Sequence, residues 1–157
     1  MSSGQWVLLA YRLPREPSTP RIAVWRALKR LGAAQVVDGL VVLPADSRTR
    51  EQLEWLAETV IEAGGEATVW IGQAGSAAQE RAIVERMRAG VAVEYRKIAQ
   101  DAVAARSTAV GSRKRTLGRL RRELRRVRAR DYFKAPEQVD ATATVEALAR
   151  DVEEAAA

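Results

Sequence analysis

The sequence predicts an α+β fold in which a small β-α-β-β-α-β core is followed by a helical C-terminal extension. Between residues 5 and 71, short apolar runs alternate with segments whose apolar residues recur every three or four positions. From residue 76 onwards the apolar periodicity is helical throughout. We therefore expect a sheet-containing core at residues 1–75 and a helical extension at residues 76–157.

The first strand and the first helix are predicted on either side of the loop "PREPSTP". The run "QWVLLAYRL" is short, apolar and aromatic, which is typical of a buried strand. Thr19 can cap the helix that follows, with Pro20 in its first turn and Gly32 at its end. Five residues form its predicted apolar side: Ile22, Val24, Trp25, Leu28 and Leu31.

A hairpin, a second helix and a fourth strand complete the core. Asp38-Gly39 joins "AAQVV" to "LVVLP", and this dipeptide readily supplies two positive φ angles in a tight turn. The second helix ends at Gly64-Gly65, before the strand "EATVWI", and its apolar residues are Leu53, Leu56, Val60 and Ile61. The resulting order predicts a ferredoxin-like fold, with two helices on one face of a four-stranded antiparallel sheet.

Three helices are predicted in the extension. Ser76 and Gln79 form a capping-box pattern before a long helix with apolar Ile83, Met87, Val91 and Ile98. After the break "AVGS", a basic helix at 112–131 carries a narrow seam of Leu117, Leu120, Leu124 and Val127, predicted to pair with the long helix as a helical hairpin. The last helix is rich in Ala and mostly acidic, and its carboxylates could lie against the basic helix.

The basic helix carries most of the positive charge of the chain. Residues 113–130 contain ten Lys or Arg and one acid, a formal +9 in a chain of net +6, so the other residues sum to −3. Guanidinium groups pair well with phosphate oxygens, and we therefore predict a double-stranded DNA contact. A solvated helix face and an anionic membrane surface are the alternatives. The candidate residues are Arg113, Lys114, Arg115, Arg119, Arg121, Arg122, Arg125, Arg126, Arg128 and Arg130.

A second basic group lies at the end of the first strand and along the first helix. It comprises Arg12, Arg15, Arg21, Arg26, Lys29 and Arg30, of which Arg26, Lys29 and Arg30 are further candidate DNA contacts. The four tryptophans, at 6, 25, 55 and 70, fall inside apolar runs, so we expect them in the core or in a dimer interface. Stacking on bases is the alternative.

The composition excludes several classes of function. The chain has no Cys, which excludes disulfides and thiolate catalysis, and no His, which removes the usual general base and transition-metal ligand. We therefore expect no catalytic residues, no metal and no cofactor. No targeting segment or run of about 20 apolar residues is present, which predicts a cytoplasmic protein without a membrane partner.

Residues 6–44, 48–70 and "RDYFKAP" at 130–136 resemble the N-terminal domain of ChrB, the chromate-resistance regulatory protein family. The resemblance implies a sequence-specific DNA-binding regulator, with chromate as a candidate effector and an efflux operon as a candidate target. We also expect a homodimer, because the core is small and the long helix is apolar. Without Cys, any chromate response would be direct anion binding by arginines and backbone N–H groups rather than redox chemistry.

Two other functions compete with this interpretation. The core is loosely similar to small CRISPR-associated nucleases, which hold a metal with an Asp at the end of the first strand. Tyr11 and Arg12 occupy that position here, and a cation there disfavours magnesium. The other alternative is a non-catalytic scaffold whose arginine helix binds an acidic protein.

Overall fold

The computed structural model describes residues 4–157, which fall into two compact units. The first ends at Met87, and the second is Arg88–Ala157. The fold is α+β and mostly helical. Its elements are β1 (Trp6–Arg12), α1 (Thr19–Leu31), β2 (Ala34–Val37), β3 (Leu40–Pro44), α2 (Ser47–Glu62), β4 (Glu66–Gly72), α3 (Ala77–Ala105), α4 (Val110–Ala129) and α5 (Glu137–Ala156).

The four strands form one antiparallel sheet in the order β2-β3-β1-β4. Val7 and Leu9 of β1 lie opposite Leu43 and Val41 of β3, and all four side chains are buried. Because side chains alternate between the two faces of a strand, these residues share one face. Helix α2 packs against β1 and β4 and also contacts α1.

The predicted order of elements is present in the first unit, but the chain as a whole is not a clean β-α-β-β-α-β fold. Helices α3, α4 and α5 follow the last strand, and α3 crosses from the first unit into the second. The predicted division after residue 75 falls between β4 and α3, whereas the compact units divide inside α3.

The turn between β2 and β3 differs from the predicted one. Gly39 has a positive φ of 79°, but Asp38 has not. In the described part of the chain, Lys134 is the only non-glycine residue with a positive φ. The β2–β3 register is irregular between Gln35 and Val37, and such a bulge relieves the need for a symmetric tight turn. A Cβ on Gly39 would lie 2.6 Å from the carbonyl oxygen of Tyr11, so this position requires glycine.

The helix ends confirm some predicted caps and correct one. Helix α1 is preceded by Ser18 at the N-cap, not Thr19, and ends at Gly32 as predicted. Asp46 caps α2, where its carboxylate accepts a hydrogen bond from the Thr49 backbone at 2.7 Å. Thr49 is itself fully buried and donates its hydroxyl to the Pro44 carbonyl at 2.6 Å, a tie between α2 and β3 that the sequence pattern did not indicate.

One hydrophobic cluster holds the second unit together. The predicted seam of α4 is confirmed, since Leu117, Leu120, Leu124 and Val127 are all buried. They pack with buried residues of α3 and α5, so three helices share this cluster where the sequence predicted a hairpin of two. The Tyr95 hydroxyl of α3 donates to Asp131 at 2.9 Å, and Asp131 also accepts from the Ala135 backbone, which fixes the chain between α4 and α5.

The tryptophans do not occupy the core as a group. Trp6 is only 5% exposed, but Trp25, Trp55 and Trp70 are 54%, 64% and 62% exposed. Burial in the core is therefore confirmed for Trp6 alone, whereas a dimer interface or base stacking stays a prediction for the other three. An apolar residue inside an apolar run can still lie on the side of its helix or strand that faces solvent, so the runs alone did not indicate burial.

Candidate nucleic-acid interface

Helix α4 has a buried seam and an exposed basic face. Successive residues turn by about 100° around a helix axis, so Arg121, Arg122, Arg125 and Arg126 lie away from the seam of Leu120 and Leu124. All four arginines are exposed. Arg121 and Arg125 are about one helical turn apart and lie in one row along the helix. Arg122 and Arg126 form a second row beside it.

These four arginines form no ion pair with any described residue. Lys114, about two turns before Arg122 in the same row, is also exposed and has no acidic partner among residues 4–157. The only acid of the helix, Glu123, pairs with Arg119 at 2.9 Å. We call Lys114, Arg121, Arg122, Arg125 and Arg126 the α4 basic face.

Four of the five other candidate residues in and just after α4 have partners inside the second unit. Arg119 also lies 3.5 Å from Asp101, and Arg128 donates to the Thr142 hydroxyl at 2.6 Å. Arg115 donates to Ser112 at 3.2 Å. Arg130 is largely buried and pairs with Glu94, and Arg113 is half-buried beside the seam.

Two of the six acids of α5 form ion pairs in the described chain, one with α3 and one with the residue directly after it, and neither pair involves the α4 basic face. Arg106 donates to Asp151 at 2.5 Å, and this hydrogen bond lowers the pKa of the Asp151 carboxyl. Arg96 lies 3.6 Å from Glu137. The suggestion that α5 neutralises α4 therefore finds no ion pair with the α4 basic face; of the α4 arginines, Arg113, outside that face, also lowers the pKa of Asp151 through its charge.

The second group of candidates lies on α1 in the first unit. Arg26, Lys29 and Arg30 are all exposed. Lys29 holds its ammonium 4.3 Å from the centre of the Trp25 ring, a cation–π contact that occupies one face of the indole. Arg26 lines a groove in the first unit, whereas Lys29 and Arg30 are not among its lining residues.

The end of β1, where the related nucleases would need a carboxylate, carries an arginine. Arg12 is exposed and pairs with Glu66 of β4 at 3.2 Å. Among residues 4–157, no three Asp or Glu side chains come together in a cluster that could hold a metal ion. In the same part of the chain, no helix is long and apolar enough to cross a membrane.

The groove at Arg26 is a feature that the sequence interpretation missed. It has a volume of about 930 Å³ and brings together Arg12, Arg15, Arg21 and Arg26 with Tyr11 and Trp25. The sequence pattern groups these arginines along the chain, but it predicts Trp25 in the core or in a dimer interface and not beside them. The four-residue spacing of Arg21 and Trp25 was the signal that could have joined them, since it places both on one side of a helix.

Comparison with known proteins identifies the family. A model of the family described as "Protein ChrB, N-terminal" matches residues 21–108. The chain is 32% identical over 148 residues to Protein ChrB of Cupriavidus metallidurans, an alignment that covers 90% of this chain and 44% of that protein. No solved structure matches the chain. The chain belongs to the ChrB family.

Proposed function

We propose that this chain is a DNA-binding transcription regulator of the ChrB type that acts at a chromate-resistance operon. The observation that carries the proposal is the α4 basic face, which is exposed and has no acidic partner in the described chain. Arginines held in two rows suit a polyanion, because neutralised phosphates release counterions to solution. The scaffold alternative would use the same face for an acidic protein, and it predicts little salt-dependent affinity for DNA.

We infer that the first unit has the ferredoxin-like fold and serves for assembly. The strand order β2-β3-β1-β4, with α1 between β1 and β2 and α2 between β3 and β4, supports this inference. Exposed Trp55 and Ile61 on α2 leave apolar surface available for a homodimer. We expect light scattering at micromolar concentration to give twice the mass of one chain, and a monomer mass would contradict the dimer.

DNA binding and its response to chromate are tested together by a gel-shift assay. Promoter DNA from a chromate-resistance operon should bind more tightly than scrambled DNA of the same length and base composition.

Since the chain contains no Cys, we expect chromate to act as a dianion that competes with DNA. Sulfate, with the same charge and a similar shape, should lower DNA binding at comparable concentrations. Equal affinity for promoter and scrambled DNA would reject sequence-specific regulation, and a response to chromate that excess sulfate does not affect would reject anion competition.

We also propose that the protein is not an enzyme and remains in the cytoplasm. The position of Arg12 at the end of β1, paired with Glu66, supports the absence of nuclease activity. DNA and RNA incubated with the protein and magnesium or manganese should remain intact. Cleavage that disappears when one carboxylate is changed would favour the metal-dependent nuclease instead.

A further inference from the structure

The groove of the first unit combines positive charge with an exposed aromatic wall. It lies between the end of β1, the turn at Gly39 and the first two turns of α1. Its volume of about 930 Å³ falls within the range of small-molecule sites, which runs from about 300 to 1,000 Å³. It is an open groove rather than a closed cavity, so a ligand could project from it into solvent.

Four arginines and one acid line the groove. Arg15, Arg21 and Arg26 are exposed and form no ion pair within the described chain, whereas Arg12 pairs with Glu66 at the edge. The acid, Asp38, accepts a hydrogen bond from Gln35 at 3.1 Å. The groove therefore has an excess of positive charge and guanidinium groups available for phosphate oxygens.

The aromatic wall consists of Trp25 with Tyr11 beside it. Trp25 lines the groove, whereas Lys29, whose ammonium lies 4.3 Å from the centre of the indole ring, does not. Ile22, also exposed, extends the apolar surface. The Tyr11 phenol is neutral at neutral pH, and burial and the nearby Asp38 raise its pKa further. A flat apolar surface of this kind suits the face of a heterocyclic base.

We propose that this groove binds a nucleoside phosphate, with the base against Trp25 and the phosphate held by Arg15 and Arg21. A ligand that uses both the arginines and the indole must have an anionic part and a flat apolar part. An inorganic anion would not use the indole, and an apolar ligand would not use the cluster of arginines. The ligand is either a free nucleotide or an unpaired nucleotide of a single strand, which share this chemistry. The site is distinct from the α4 basic face, and the proposal does not depend on duplex binding by α4.

Calorimetry on the full chain with AMP, adenosine and inorganic phosphate tests the combination of base and phosphate. We expect AMP to bind at least tenfold more tightly than either part alone. Trp25→Leu and the double variant Arg15→Gln with Arg21→Gln should each weaken AMP binding about tenfold or more, since both the stacking and the charged contacts are needed. An eight-residue oligo(dA) single strand identifies the source: Trp25-dependent binding tighter than that of AMP assigns the site to single strands, and equal or weaker binding assigns it to free nucleotide.

Two control variants separate the groove from general effects of charge and aromatic content. Trp55→Leu removes an equally exposed indole on α2, and Arg81→Gln removes an exposed arginine of α3; neither residue lines the groove, and neither variant should change AMP binding. The proposal is overturned if AMP binds no more tightly than inorganic phosphate. It is also overturned if no binding is detected at millimolar AMP, or if Trp25→Leu, with wild-type circular dichroism, binds AMP as the parent does.

Discussion

Replacement of Arg121, Arg122, Arg125 and Arg126 together by Gln is expected to weaken binding to promoter and scrambled DNA alike. Each lost phosphate contact changes the slope of log affinity against log salt by about 0.9, so the four together flatten it by up to about 3.6. The loss should be nearly uniform across sequences, because phosphate contacts position a protein without reading bases. Titrations at three salt concentrations, by fluorescence anisotropy, measure both the affinity and the slope.

The four-Gln variant should keep its fold. The four side chains are exposed and form no ion pair in the described chain, and the seam residues Leu120 and Leu124 stay in place. Exposed substitutions of this kind each change the free energy of unfolding by about 0.5 kcal/mol or less. Unchanged circular dichroism and an unchanged urea midpoint would show that the lost affinity comes from the lost charges.

Two control variants make this test specific to α4. The first removes four exposed arginines from other helices, Arg48, Arg50, Arg81 and Arg150, and so changes the net charge by the same amount. It should retain most of the affinity if α4 is the contact. The second replaces Arg26, Lys29 and Arg30 of α1. If that variant loses binding while the four-Gln variant of α4 binds like the parent at every salt concentration, α1 is the DNA-contacting surface and the assignment to α4 is wrong.

Apolar periodicity predicted the elements of the fold, but on α1 it did not separate the apolar residues that are buried from those that are exposed. In α1 the buried residues are Val24, Ala27 and Leu28. Trp25 is about 100° and Ile22 about 160° around the helix from Val24, and both remain exposed. Periodicity shows that a helix has an apolar side, but the width of the arc that contacts the sheet depends on the neighbouring elements.

Long-range partners were beyond the reach of sequence reasoning for a similar reason. The seam of α4 follows from local spacing and was predicted residue by residue, whereas two of the ten basic candidates, Arg113 and Arg130, are not exposed. The pairing of Arg106 with Asp151 depends on how α3 and α5 meet, which no local pattern encodes. The same holds for Thr49 and for the groove around Trp25, where residues from separate elements come together.

The largest expected effect on stability comes from Leu120→Ala. Leu120 is fully buried in the cluster that joins α3, α4 and α5, so the substitution both loses apolar burial and leaves a cavity. Truncations of this kind cost about 2–5 kcal/mol, a large part of the 5–15 kcal/mol that stabilises a typical domain. Urea unfolding followed by far-ultraviolet circular dichroism should show a clearly lower midpoint.

The neighbouring substitution Arg121→Ala is the matched control for Leu120→Ala. It changes the next residue of the same helix to the same amino acid, but Arg121 is exposed, so the midpoint of urea unfolding should move little.

In DNA binding the order of the two effects should be reversed, with the larger loss in Arg121→Ala. Leu120→Ala, assayed at a temperature and urea concentration where it is folded, keeps every residue of the α4 basic face and should bind DNA like the parent, whereas Arg121→Ala should bind more weakly and with a smaller salt slope. A Leu120→Ala protein as stable as the parent would contradict the packing of α4 described above, because a fully buried leucine cannot be truncated without loss of contacts.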